Sequence, residues 1–598
     1  MAHLSENCKR LLIYYFEISS NDQLLDAVRG FNDVCVLRLP PCQTGNYSSR
    51  LQNIGALVNR IAEGLGSEAT LVTIGEVIDL VQVHATISAS MRYQLWIAIK
   101  RSTPLAAASN GLLPTYHFGA LVHTKYKTSL RHTKTRISYT YCPACDKTTK
   151  DYGGKKHTYH EYGTLLSDIW RDISCELNGN IEPSLDILAD LFGVDPYREL
   201  RVFDLRPLGL TRSPVVPSVH FMEQAENPLP SSLVNQVLYG DCLEQLAQLP
   251  DNSIDFVFVD PPYNLGKNYL GYGDDLQIKE YFNWCDIWLS QLARVLKPGR
   301  TLALLNIPLW SIRHFLYLET ILNFQNWLVW DALSFPVRLI MPSHYAILCF
   351  SKGAPRTLPG LIGESGLAEL PVQFKRLRIL EPLAEGFCLR DQCKRKRHLY
   401  RIDDQGPLTD LWWDIHRLKH NSRRVNHPTQ LPPMLLYRMI SLFTQPNEMV
   451  FDCFNGSGTT TLAAHQIRRN FIGIEKSNVY YELTLLRHEE IRMGLDPFRK
   501  AERVLTAKNS RVPRMPKQKY KVPKKTLQLE VRRVARELGR LPTRDEMARV
   551  GRYPIEYYDE YFASWGEACA AARNNGMSET KQAVMLHSKS KQLQLFDS

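Results

Sequence analysis

The chain has 598 residues, which at about 100–200 residues per domain predicts roughly three to five domains and excludes a single small module. Hydrophobic residues at 44% and charged residues at 22% exclude a globally disordered chain, and a net charge of +12 points to an anionic partner wherever the surplus is concentrated. No run approaches the ~18–20 apolar residues that span a bilayer. Acids interrupt the opening MAHLSENCKRLLIYYFEISSND where a signal sequence would be apolar, so a soluble, intracellular protein is expected. Thirteen cysteines are too sparse for a disulfide scaffold and odd in number, which favours free thiols or a metal site.

In chain order, the first predicted strand–turn is VCVLRLPPCQTGNY (34–47). Its Pro40-Pro41-Cys42-Gln43 looks like the nucleophile motif of cytosine-5 methyltransferases. That reading is rejected: only some forty residues precede it, they hold no glycine loop, and no Glu-Asn-Val follows. Next comes Cys142-Pro143-Ala144-Cys145, then His157-Thr158-Tyr159-His160, with Lys147, Lys150, Lys155 and Lys156 around them. A Cys-x2-Cys knuckle with two nearby histidines suits tetrahedral structural zinc, so Cys142, Cys145, His157 and His160 are the predicted ligands of a DNA-contacting loop. LLSDIWRDI (165–173) and DILADLFGVDPYRELRVFD (186–204) complete this region.

GDCLEQLAQLPDN leads into SIDFVFVDPPYN (253–264), an apolar strand running into a Pro-Pro turn. EMVFDCF (448–454) is a second strand; it enters Asn455-Gly456-Ser457-Gly458-Thr459-Thr460 and a helix, and NFIGIE ends a third at Glu475. Strands alternating with helices predict an α/β fold with a mostly parallel sheet. Gly456 and Gly458 allow close backbone approach to a ligand, and an acid about 20 residues on can hold ribose hydroxyls, the role given to Glu475. Alone, this loop equally suits a dinucleotide-binding oxidoreductase or a packing turn.

Asp260-Pro261-Pro262-Tyr263 narrows the choice. An exocyclic amine on adenine or cytosine is conjugated with its ring, so it needs acceptors that draw its hydrogens; Asp260 and the Pro261 carbonyl can supply them. The prolines fix the backbone, and Tyr263 offers a flat face for an extruded base. Read alone, the tetrapeptide is also a plain Pro-Pro turn after a buried strand.

Residues 499–525 carry eleven Lys/Arg against the single acid Glu502, and prolines at 513, 516 and 523 forbid a continuous helix. A basic linker over 501–526 is expected, either phosphate-binding or simply solvated. LQLEVRRVAREL (527–538) has helical spacing, Thr543 can cap the next helix, and a polar tail occupies 577–598. Leu538-Gly539-Arg540-Leu541-Pro542-Thr543 through Tyr561-Phe562-Ala563-Ser564-Trp565 and Ala568 resembles the helical repeat attached to homing endonucleases, a DNA-binding accessory, here over 527–576.

Residues 235–490 resemble the DNA amino-methyltransferases, which make N6-methyladenine or N4-methylcytosine. The resemblance rests on Gly240-Asp241-Cys242, Asp260 to Tyr263, Arg423-Arg424-Val425-Asn426-His427-Pro428-Thr429-Gln430, and Phe451-Asp452-Cys453-Phe454-Asn455-Gly456-Ser457-Gly458-Thr459-Thr460. The catalytic tetrapeptide precedes the cofactor loop, as in the circularly permuted β-class. The resemblance implies a Rossmann-like methyltransferase fold, double-stranded DNA as partner, and S-adenosylmethionine across the loop. Asp452, Phe454, Gly456, Gly458, Thr459, His427 and Thr429 would hold it, with Glu475 at the ribose and Asp241 near the adenine or amino group. Base flipping follows, since the amine is out of reach inside a duplex. Asp heading Tyr-Asn resembles the N6-adenine members; N4-cytosine methylation, an RNA substrate, and a non-catalytic DNA-binding protein with a vestigial fold stay open. The target-recognition region is expected at 353–405, with Arg390, Lys394, Arg395, Lys396, Arg397 and His398 suited to DNA contacts. No nuclease motif is present, so modification without cleavage is expected, and a separate restriction enzyme stays open.

With the catalytic domain at 226–500, residues 1–225 read as a degraded duplicate. VCVLRLPPCQTGNY parallels FVFVDPPYNLGKNY with Leu39 in place of Asp260, LLSDIWRDI parallels PLTDLWWDI, and RVFD ending at Asp204 parallels MVFD ending at Asp452, but no glycine loop follows. This predicts an intramolecular pseudo-dimer with one inactive copy.

Overall fold

The computed structural model describes residues 12–573 except 43–48, 138–140, 149–163, 215–225, 266–267, 270–271, 274–275, 333–339, 341, 360–377, 381–386, 389, 403–404, 416, 418–429, 499–521, 523 and 563. Two units emerge, residues 1–500 and 501–598.

Unit one contains two large sheets. The first is built from β1 (Ile13–Glu17), β2 (Val34–Arg38), β3 (Thr70–Gly75), β4 (Met91–Leu105), β5 (Thr115–Lys125), β6 (Ile169–Cys175) and β7 (Leu200–Asp204), in the spatial order β1-β7-β2-β3-β5-β4-β6. Its helices include α1 (Asn21–Val28), α2 (Ile54–Gly64), α3 (Val77–Ile87) and α4 (Glu182–Phe192). The second sheet comprises β8 (Gln236–Tyr239), β9 (Ile254–Val259), β10 (Leu296–Asn306), β11 (Asn323–Asp331), β12 (His344–Ser351), β13 (Leu411–Trp412), β14 (Met449–Asp452) and β15 (Asn470–Glu475), ordered β8-β15-β14-β9-β10-β12-β11-β13. Around it lie α5 (Cys242–Leu246), α6 (Ile278–Val295), α7 (Pro308–Leu318), α8 (Asp391–Leu399), α9 (Pro433–Phe443), α10 (Thr459–Gln466) and α11 (Asn478–Arg492).

Both sheets are parallel except where β5 and β12 insert antiparallel to their neighbours. β2 and β9 are buried at every position, as strands covered on both faces by helices require. The second has the mostly parallel, helix-covered order of a Rossmann-like sheet. Among the described residues the first matches it strand for strand in chain order, spatial order and direction, except that β15 has no counterpart.

The two sheets meet through β4 and β11, where Trp96 stacks on Trp327 with centroids 4.9 Å apart and planes 14° from parallel. Around this pair the halves exchange the same interaction. Asp168 Oδ1 accepts from the Ser343 and His344 backbone N–H at 2.7 and 3.0 Å. In return Asp410 Oδ1 accepts from the Tyr116 N–H at 2.7 Å, and its Oδ2 lies 3.1 Å from His117 Nδ1. The backbone carbonyls of the two aspartates accept from Ala98 and Val329, on β4 and β11. Burial pushes the Asp168 carboxyl up to about 7 against the pull of its two N–H donors.

Unit two folds around α12 (Lys524–Leu538), α13 (Arg544–Val550), α14 (Glu556–Asp559) and α15 (Trp565–Arg573). Thr543 and Glu546 form the capping box of α13, and Leu527, Val531, Val534, Met547, Tyr558 and Ala568 are buried. Helix α12 starts at Lys524, so the helical part begins before the linker boundary expected at 526. Linker residues 501–521 and the tail 577–598 lie outside the described residues. No described helix is long and apolar enough to cross a membrane.

Replacing the fully buried Asp410 by Ala strips the half-buried Tyr116 N–H of its acceptor and should cost about 2–4 kcal/mol. Thermal unfolding of the full chain should show the earliest transition lowered, and an unchanged midpoint would contradict the role given to this exchange.

Candidate active site

Strands β9 and β14 are parallel neighbours, with Phe256 opposite Val450 and Val257 opposite Phe451. This register sends Asp260 and Asp452 out at the same edge, where crevices form at the carboxyl ends of parallel strands. Between them lies a cavity of about 210 Å³. Of the residues expected from sequence, Asp241, Asp260, Pro262, Asp452, Phe454, Gly456, Thr459 and Glu475 line it. Pro261 and Tyr263 are buried beside it rather than lining it, and Gly458 is the N-cap of α10. His427 and Thr429 lie outside the described residues, though Gln430, which follows them, lines the cavity.

The tetrapeptide is fixed from several sides. Tyr281 donates to the Pro262 carbonyl and Trp310 Nε1 to the Tyr263 carbonyl, each at 2.8 Å. The Tyr263 hydroxyl donates to Asp260 Oδ1 at 2.7 Å. One Asp260 oxygen is thus oriented by the motif itself.

The glycine loop needs its glycines for stated reasons. Gly458 has φ +83°, and a Cβ there would sit 2.6 Å from Thr484 Cγ2. Gly456 has φ +52°, and its N–H donates to Glu475 Oε2 at 2.7 Å; the Ser477 N–H reaches Glu475 Oε1 at 2.7 Å. Both glutamate oxygens keep spare lone pairs. Asp241 caps α5 through the Leu243 N–H at 3.0 Å and pairs with Lys476 at 3.0 Å.

Four carboxylates, those of Asp241, Asp260, Asp452 and Glu475, share this space. Burial raises the Asp452 carboxyl to about 7 despite hydrogen bonds from Thr460 and the Phe454 N–H, and the charges of Asp260 and Glu475 push the same way. Glu475 is also raised, chiefly by burial. The ionised form of Asp452 therefore costs stability: the contribution of its protonated form is present at acid pH and lost as pH rises through about 7. A cationic ligand would reverse that cost. Asn455 Nδ2 is buried without a hydrogen-bond partner, while its Oδ1 accepts from Thr461 at 2.9 Å. A carboxylate-lined cavity beside a loop in which Gly458 leaves no room for a Cβ fits a zwitterionic, ribose-bearing cofactor.

Sequence reasoning did not single out Trp284, Asn455, Lys476 or Tyr480, all of which line the cavity. Trp284 packs edge-on against Phe454 at 5.6 Å from α6, and its spacing in FNWCDIW reads only as a helix face. Asn455 was legible, since it opens the glycine loop.

Residues 254–486 match the family model described as DNA methylase, and residues 522–572 match that of the homing endonuclease associated repeat. The chain thus carries an N6/N4 amino-methyltransferase domain followed by a homing-endonuclease-associated repeat. Type II methyltransferase M.BamHI of Bacillus amyloliquefaciens is 33% identical over 244 residues, 40% of this chain and 54% of that protein. The chain therefore spans about half the length of that relative. DNA adenine methyltransferase YhdJ of Escherichia coli (strain K12) is 28% identical over 261 residues, 42% of this chain and 81% of its own length. Among solved structures, the Thermus thermophilus protein TTHA0409 complexed with S-adenosyl-L-methionine is 21% identical, covering 44% of this chain and 98% of that one with a TM-score of 0.31.

With Asp452 at about 7, affinity for S-adenosylmethionine should rise as pH increases through about 7 and then level off. Asp452→Asn should weaken binding and flatten that profile. Calorimetric titration at several pH values checks both, and a pH-independent wild type would contradict the assignment.

Proposed function

We propose that the chain transfers a methyl group from S-adenosylmethionine to the N6 amine of an adenine flipped out of double-stranded DNA. The observation that carries this reading is Asp260 facing, across one cavity, the loop Asp452 to Thr459 and Glu475. S-adenosylmethionine supplies a methyl group on a sulfonium, which needs no metal and no covalent enzyme intermediate. Asp452 and Asn455 are suited to its methionine end, Glu475 to ribose hydroxyls, and Asp241 to the adenine side. His427 and Thr429 belong to the same set by resemblance.

Asp260 accepts a hydrogen of the target amine, and the Pro261 carbonyl offers a second acceptor. Together they favour a pyramidal nitrogen with its lone pair free for in-line approach. Tyr263 positions Asp260 through its hydroxyl; its ring is buried beside the cavity and would have to be uncovered to stack an entering base. Adenine is favoured over cytosine because Asp260 heads Tyr263-Asn264, as in N6-adenine members, and YhdJ carries adenine in its name. N4-cytosine is the second reading.

The same proposal assigns residues 1–225 as a catalytically dead copy that pairs with the active half. Leu39 is buried at the position of Asp260. At the position of Asp452, Asp204 is clasped by Arg206, whose Nη2 reaches Asp204 Oδ2 at 2.5 Å, and Arg38 lies 3.6 Å away. A guanidinium thus takes the place of a cationic ligand. Target recognition is assigned to 353–405, in which Arg395 and His398 are exposed. Arg397 is a correction to the sequence reading: it is fully buried and donates to the Cys388 carbonyl at 2.7 Å, so it is not a DNA contact. The basic segment 501–526 and the repeat would add phosphate contacts.

Nucleoside mass spectrometry of DNA from a methylation-free host expressing the chain should show N6-methyladenine. Asp260→Ala should lower the rate by about 10²–10⁴-fold. N4-methylcytosine would overturn the base, and an undiminished Asp260→Ala variant the mechanism.

A further inference from the structure

The sequence pairs Cys142 and Cys145 with His157 and His160, but the fold brings a different set together. Those histidines lie outside the described residues. Cys142 and Cys145 instead meet Cys388 and Cys393, with all four sulfurs within 4.8 Å of one another. We propose that these four cysteines bind one structural zinc ion that staples the N-terminal half to the target-recognition region.

The geometry carries the proposal. Four thiolates placed tetrahedrally about zinc at about 2.3 Å stand about 3.8 Å apart. The sulfur separations are 3.9 Å for Cys142–Cys393, 3.8 Å for Cys145–Cys388 and 3.6 Å for Cys388–Cys393. Disulfide sulfurs would be about 2.05 Å apart, and none of the four is disulfide-bonded. A cubane iron–sulfur cluster would seat each thiolate on a different iron and so spread them further than this. Cys142, Cys388 and Cys393 are buried and Cys145 is half-buried, which suits a closed structural site.

Local structure presents each pair as a knuckle. Tyr141–Cys142 and Lys147–Thr148 form a two-stranded hairpin whose turn includes Asp146 at φ +51°. Cys388 precedes α8 and Cys393 sits in its first turn. Spacings of two and four residues fall within those of zinc knuckles. The surroundings suit a centre of net negative charge. Arg397 is buried and holds the Cys388 carbonyl, and Lys396 crosses to the Ala144 carbonyl at 2.9 Å. On binding, the four thiols release their protons to solvent, and no redox change occurs. The ion would fix α8, and with it exposed Arg395 and His398, against a loop of the other half.

Elemental analysis of the full chain purified without added metal should find one zinc per chain. X-ray absorption at the zinc edge should show four sulfur ligands at about 2.3 Å. Cys388→Ser with Cys393→Ser should lose the metal, whereas His157→Ala with His160→Ala should keep it. Absence of zinc, iron in its place, mixed sulfur and nitrogen ligation, or zinc retained without Cys388 and Cys393 would overturn the proposal. The absorption measurement needs no variant, so misfolding of the cysteine mutant leaves the test intact.

Discussion

Parallel pairing of β9 with β14 is the constraint on which the site depends. Because Phe256 lies opposite Val450, the chain leaves both strands at the same edge, and the turns that follow face one another. A slip of one residue would send alternate side chains to the other face of the sheet and part Asp260 from Asp452. The strands are held in that register by helices on both faces, so an apolar core decides where two carboxylates stand. Within it, Tyr263, Tyr281 and Trp310 direct their polar tips to the tetrapeptide.

The second theme is asymmetry between two similar halves. Strand order and direction repeat, and Asp168 and Asp410 perform the same task for the opposite half. Repetition stops at the ligand. Among the described residues the first sheet has no counterpart of β15, the strand that ends at Glu475, and its Asp204 is turned toward Arg206. The stacked Trp96 and Trp327 need the scaffold of both sheets but no bound cofactor.

How much was legible follows from the range of each interaction. Strands flanking Asp260 and the glycine loop could be read because apolar runs and glycines act locally. The shared strand order of the two sheets has a counterpart in the sequence, where Leu39, Asp168 and Asp204 stand in the order of Asp260, Asp410 and Asp452. The metal-type cluster was only half legible: Cys142 and Cys145 announce themselves by spacing, but Cys388 and Cys393 lie some 240 residues away and join them only through tertiary packing. Arg397 misled for a related reason, since a cation in a basic run looks solvated until the fold buries it. Trp284 and Tyr480 carried no motif, because aromatic walls of a cavity have the same spacing as helix cores.

On the proposed function, one half binds the cofactor and the other supports it. Equilibrium dialysis of the full chain with radiolabelled S-adenosylmethionine tests this directly. One equivalent should bind per chain and be lost in Gly458→Val, where the new side chain would strike Thr484. Two equivalents, or one that survives Gly458→Val unchanged, would contradict it.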